Sequence, residues 1–219
     1  MSQRDYILRI AEEFGRALAQ VLYNRQIQDY AAAHKLVDEQ CKQAFSMGIG
    51  FMRSIPEETL LSMLTSFDTL DTEKCWLLAL LLKAEGDIYQ DQSNASESYY
   101  SYVRSLNLVL EVLLLDTTIS GSTSVPELED LLSRLSEYEL PMRTMLLLFR
   151  YFERTGRYAR AEDVLFELLE TNDPDGELQT LGTAFYQRLL RKSVTELRAG
   201  NCSREEVEEG LARLKKRGR

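Results

Sequence analysis

The only histidine in this 219-residue chain, His34, opens the one cluster whose residue types could hold a metal. Asp38 and Cys41 follow it at four and seven positions, so on a helix an imidazole, a carboxylate and a thiolate project from one face. The set stops at three. No second cluster offers a fourth ligand, and Cys41 also fits an apolar stripe as a small hydrophobe, so no metal and no other cofactor is expected. Glu205, Glu206, Glu208 and Glu209 could supply carboxylates for acid–base work. They fall where a helix begins, and negative charge there complements the helix dipole, so they read as a solvated face. Cys41, Cys75 and Cys202 are far apart and form no C-x-x-C pair, which argues against both a disulfide framework and a zinc site. No glycine-rich phosphate cradle, G-x-S-x-G elbow or H-E-x-x-H pair is present. No catalytic residue is nominated, and the chain is not expected to be an enzyme.

Tyrosine is the more informative residue type. In "ESYYSY" a helix places Tyr99 and Tyr102 on one face and rotates Tyr100 well away from it. Two of the three rings can join a core, which leaves Tyr100 as a candidate for an exposed aromatic at a partner surface, where ring and hydroxyl both find use.

The elements that must carry these residues are helices. Leucine, glutamate, arginine and alanine dominate, and with only 11 glycines and 4 prolines there is little to interrupt them. A chain of this length buries roughly 70% of its unfolded surface and needs no disulfide to hold a core. The net charge of −9 opposes nucleic acid, whose binding requires lysine and arginine to displace phosphate counterions. The terminal run Arg213, Lys215, Lys216, Arg217 and Arg219 suits the negative end of a helix. "CWLLALLL" and "LVLEVLLL" fall far below the roughly 18 apolar residues a membrane span needs, and the charged N-terminus is unlike a signal peptide. A soluble, cytoplasmic protein is expected.

Periodicity places the first helix over Ile7, Ile10, Ala11, Phe14, Leu18, Val21 and Leu22, and a second from about Asp29 to Phe45 with Tyr30, Ala33, Val37 and Cys41 on its stripe. The four prolines all stand where helices begin, and Ser54, Ser124 and Ser203 each precede a glutamate by three, the capping-box spacing. About nine helices and no strand are expected. Two landmarks recur at matching distance: "SIPE" and "SVPE" begin 70 positions apart, and the Tyr30 stripe repeats from Tyr99, 69 positions on, as Tyr99, Tyr102, Leu106 and Leu110. A duplicated helical module of that length follows, close to twice the period of helical-hairpin repeats.

Within these modules the residues resemble tetratricopeptide repeats. Leu82, Gly86, Tyr89, Ser98, Tyr102 and Ser105 occupy the signature spacing once, and Gly156, Tyr158, Ala161 and Leu165 match its turn and second helix again, with Pro174 near the terminating proline. Phe149 and Leu168 depart from the pattern, standing where glycine and alanine are usual. The opening Arg4–Arg9, Arg-Asp-Tyr-Ile-Leu-Arg, is similar to that of a group of uncharacterised bacterial helical-repeat proteins. The resemblance implies an all-α array of stacked antiparallel hairpins in a bacterial cytosolic protein. It would form a single domain over 1–219: an N-terminal helix to residue 28, a duplicated repeat region over 29–172, and C-terminal capping helices over 173–219.

Stacked hairpins imply an interaction module or scaffold for a protein or peptide, and the acidic surface favours a basic or neutral one. A second reading is a self-associating subunit, since Ile7, Phe14 and Val21 at seven-residue steps also form a heptad seam that could pair in a homodimer. A small-molecule sensor or an unrecognised enzyme using a pocket between hairpins is the third.

Overall fold

A computed structural model describes the backbone of residues 3–115, 126–170 and 176–217, with side chains over 14–115, 127–170 and 176–216. The fold is all-α, as the composition requires. In chain order the helices are α1 (Gln3–Gln26), α2 (Tyr30–Phe45), α3 (Ile49–Ser54), α4 (Glu57–Met63), α5 (Thr72–Asp91), α6 (Ala95–Leu115), α7 (Pro126–Arg134), α8 (Met142–Arg154), α9 (Tyr158–Glu170), α10 (Glu177–Leu189), α11 (Val194–Ala199) and α12 (Arg204–Arg217). Twelve helices therefore stand among the described residues where about nine are expected. The surplus lies in pieces such as α3 and α11, six residues each and too short to show a stripe. A strand is also present against expectation. β1 (Thr65–Ser66) and β2 (Thr69–Leu70) pair antiparallel through Thr65–Leu70 and Ser66–Thr69, a ladder too short for alternation to register.

Local chemistry explains the boundaries. Asp29 accepts from the Ala32 N–H at 3.1 Å and starts α2, and Asp71 accepts from the Lys74 N–H at 3.0 Å and starts α5. The Ser203–Glu206 box forms as expected, with the Ser203 N–H donating to Glu206 Oε2 at 2.6 Å and the Glu206 N–H to Ser203 Oγ at 3.1 Å. Ser54 does not form one. It closes α3 instead, donating its hydroxyl to the Phe51 carbonyl at 3.0 Å, while Pro56 takes the N-cap position of α4. A short helix running up to Ser54 has pre-empted the residue. Ser124 and Pro174 lie outside the described residues. A box that the reading missed, Ser193 with Glu196, starts α11.

The chain divides into two compact units, Met1–Val112 with Pro126–Glu139, and Leu113–Val125 with Leu140–Arg219. In the first, α1 packs on α2 and α2 on α5. Ala33, Val37 and Cys41 of α2 are buried beneath a half-exposed Tyr30, and Tyr102, Leu106 and Leu110 of α6 are buried beneath a half-exposed Tyr99. The two tyrosine-led stripes thus have the same burial pattern. Val21 of α1 is buried too, so the heptad stripe is covered within the chain at that end. α5 and α6 approach closely at small residues: Ser105 Oγ donates to the Ala79 carbonyl at 2.7 Å, and Gly86 faces the Tyr102 ring. In the second unit α8 packs on α9, and α10 on α12 and α9. Phe149 fills the core against Phe185 with ring centroids 5.2 Å apart, so this unit builds from an aromatic the contact that a glycine would leave open. No helix among the described residues is long and apolar enough to cross a membrane.

Gly86 and Gly15 make a paired test. A Cβ on Gly86 would come within 2.7 Å of the Tyr102 ring, whereas one on Gly15 in α1 would meet nothing within 4 Å. Alanine gains about 1 kcal/mol of helix propensity at either site, and overpacking costs about 1–3 kcal/mol. In urea denaturation Gly15→Ala should raise the midpoint and Gly86→Ala should lower it.

Candidate functional site

The helical register does carry His34, Asp38 and Cys41 along α2, but each turns to a different neighbour. His34 Nδ1 lies 3.0 Å from Glu85 Oε1 and Nε2 3.2 Å from Gln92 Oε1, with the imidazole tilted over the Tyr89 ring at 4.8 Å. Asp38 Oδ1 accepts from the Ile49 N–H at 3.0 Å, capping α3 across a loop, and Oδ2 pairs with Lys42 at 2.5 Å. Cys41 is fully buried, and desolvation pushes its thiol up to about 12. No group of three metal-ligating side chains is assembled among the described residues. Cys75 and Cys202 are buried as well, with thiols pushed up by desolvation to about 12 and about 11, values that disfavour the nucleophilic thiolate. Glu205, Glu206, Glu208 and Glu209 are exposed on α12, and Glu206 is held below the usual carboxylate range by the Ser203 backbone N–H it accepts. In the basic tail, Arg213 pairs with Glu209 at 3.2 Å.

His34 nonetheless sits in an electrostatic niche. The hydrogen bond to buried Glu85 is the largest influence and raises its proton affinity, with burial and nearby Arg53 acting against it. Arg53 of α3 lies over the Tyr89 ring at 4.9 Å and pairs with Glu97 at 2.6 Å. Glu85 Oε2 is buried with no hydrogen-bond partner among the described residues, so the charge on Glu85 is answered chiefly through His34.

A larger polar cluster, which no motif announces, centres on Asp87 of α5. Its carboxylate pairs with Arg25 of α1 at 3.1 Å, Lys83 of α5 at 3.5 Å and Arg134 of α7 at 2.9 Å, and accepts the Tyr102 hydroxyl of α6 at 2.7 Å. Arg25 also reaches Asp91 at 2.7 Å, and Lys83 reaches Asp130 at 2.7 Å. Three carboxylates thus face three cations. The cluster is neutral and internally satisfied, and it ties four helices together. Sequence could have hinted at it only through the charges Lys83, Glu85, Asp87 and Asp91 that follow the apolar first half of α5.

The exposed chemistry is aromatic. Tyr99, half-buried, donates its hydroxyl to the Glu139 carbonyl at 2.9 Å, which fixes its ring between two others. Tyr100 lies edge-on to it at 5.4 Å and Tyr138 tilted against it at 5.2 Å. Tyr100 is 58% exposed and Tyr138 41%, and Glu137 and Glu139, which flank Tyr138 in sequence, are exposed as well. The sequence nominated Tyr100. Tyr138, 38 residues away, joins it only in the folded chain.

Fold and site together define an all-α helical protein whose buried polar groups hold helices and whose presented groups are tyrosine rings. The chain belongs to DUF6483, a family of unknown function whose profile matches residues 1–219. No curated protein and no solved structure matches it.

Two measurements probe these clusters. A histidine that binds its proton more tightly when folded contributes stability that is complete below the ordinary value of 6.5 and is lost as pH climbs through the raised folded value. Urea midpoints between about pH 5.5 and 8.5 should therefore fall across that window in the native chain and fall less in His34→Gln. Asp87→Asn strands Arg25, Lys83 and Arg134 against a neutral amide and should cost about 3 kcal/mol in the same assay.

Proposed function

We propose that the protein is a non-catalytic interaction module, a tetratricopeptide-like helical-repeat protein that binds a protein or peptide segment of basic or neutral character. The observation that carries this reading is the Tyr99–Tyr100–Tyr138 cluster. Tyrosine offers large contact area at low entropic cost, and here a backbone hydrogen bond already orders the central ring. Ring faces attract guanidinium and ammonium groups, and Glu137 and Glu139, which flank Tyr138 in sequence, add negative potential, so a segment presenting arginine or lysine fits best. The matched burial of the Tyr30 and Tyr99 stripes and the close Gly86–Tyr102 approach support the repeat reading over 29–172. The net charge of −9 and the lack of a spanning helix among the described residues support a cytoplasmic setting, and the opening Arg4–Arg9 supports a bacterial one.

Partners captured from the native cell, then titrated as purified proteins, supply the test. Tyr100→Ala and Tyr138→Ala should each weaken binding at least about ten-fold with the melting temperature unchanged, as expected when a central aromatic is truncated. Binding indifferent to both substitutions, or a preference for acidic over basic peptides, would refute the reading.

A further inference from the structure

One face of α1 stands open to solvent. Val21 and Asn24 are buried and Arg25 is turned inward to Asp87 and Asp91, which fixes the side of the helix that packs. With each residue turned about 100° from the last, the other side carries Gly15, Ala19, Leu22, Tyr23 and Gln26, and all five are exposed. The Ile27 N–H donates to the Tyr23 carbonyl at 3.1 Å, so the helical turn runs on and adds Ile27 to the same face. Leu22, Tyr23 and Ile27 are 53%, 54% and 54% exposed, and a Cβ placed on Gly15 would meet nothing within 4 Å. Single exposed hydrophobics are ordinary, but large ones grouped on one face mark a contact surface. This stripe is not the seam of Ile7, Phe14 and Val21, whose last member is buried.

Charge and size together say what covers it. The chain holds 35 acidic residues, yet none lies between Phe14 and Gln28, and the cation on the open face is Arg16. Such a face can leave water without stranding a carboxylate. Gly15, Ala19, Tyr23 and Ile27 stand four apart and form one ridge, small in its first half and large in its second. Turned end for end, the ridge is its own complement. About a two-fold axis near position 21, Ala19 faces Tyr23 of the other copy and Gly15 faces Ile27. Arg16 then stands opposite Gln26, cation to amide, and no like charges meet.

We propose that two copies of the chain pair antiparallel through this face of α1, the large residues of each seated on the small residues of the other. The contact is isologous, so one axis makes it twice. An unrelated partner would have to supply the matching order of large and small; a second copy supplies it by symmetry. A single helix pair falls at the low end of specific interfaces, below about 1,200 Å² in total, so the dimer is reversible. The pairing does not rest on the tyrosine cluster or its role.

Sedimentation equilibrium of the full chain tests it. We expect a monomer of 25.2 kDa passing to a dimer with rising concentration. Added salt should tighten the dimer, because it screens repulsion between copies that each carry a net charge of −9 and leaves an apolar contact intact. Tyr23→Ala should weaken association at least about ten-fold, and Ala19→Tyr, which sets ring against ring, should weaken it comparably. The two substitutions combined restore a large-to-small match across the axis and should return most of the lost affinity. A chain that stays monomeric up to about 500 µM overturns the proposal. So does a dimer that dissociates as salt rises, one indifferent to Tyr23→Ala, or a double variant no tighter than the single ones. Should a variant fail to fold, disulfide trapping decides, since the native cysteines are all buried. Mixing Ala19→Cys chains with Tyr23→Cys chains under mild oxidation should give the mixed disulfide in preference to either same-variant product, and no such preference refutes the pairing.

Discussion

Asp87 brings a negative charge into the middle of the first compact unit, and the arrangement of four helices there follows from answering it. A carboxylate removed from water at this depth is tolerable only with cations and donors at hydrogen-bond distance. Arg25 arrives from α1, Arg134 from α7 and the Tyr102 hydroxyl from α6, while Lys83 sits one turn back on the same helix. Apolar packing alone would let α5 rotate or slide among its neighbours at modest cost. The ion cluster permits one register. Gly86, adjacent to Asp87, admits the Tyr102 ring against the α5 backbone, so the steric and electrostatic demands select the same geometry.

That arrangement bears on what the protein presents. Several of its shielded polar side chains are engaged within the chain: His34 with Glu85, Asp38 with the start of α3, Asp87 with its cations. The cysteines lie in apolar surroundings that hold them as thiols. The groups left facing outward with distinctive chemistry are rings. Tyr100 and Tyr138 flank an ordered Tyr99, and Phe67 stands exposed on a turn whose two residues both have positive φ. The tyrosines carry hydroxyls that remain content in water, which suits a surface that exchanges partners. A bare phenyl ring has no such compensation and gains most by being covered.

Much of this architecture was legible beforehand, and the parts that were not share a cause. Long amphipathic segments declare themselves because a helix repeats its stripe many times, so α2 begins and ends where its periodicity and Asp29 place it. Short elements repeat nothing. α3, α11 and the two-residue ladder fall below the length at which a pattern exists, and α3 then captured Ser54, whose spacing to Glu57 otherwise spells a capping box. The Ser203–Glu206 box carried the same spacing and formed, because no preceding helix competed for the serine.

The candidate sites divide along the same line. Sequence alone determined that the chain is helical, that Cys41 falls on an apolar stripe, and that three tyrosines in "ESYYSY" could not all face inward. Tertiary structure decided that His34 faces Glu85 fifty-one residues on, that Tyr138 completes the ring cluster, and that Phe67 protrudes from its turn. The physical reason is one of range. Backbone hydrogen bonding and side-chain periodicity act within a turn or two and leave their mark on neighbouring letters. Ion pairs and ring contacts join residues whose only relation is that packing brought their helices together.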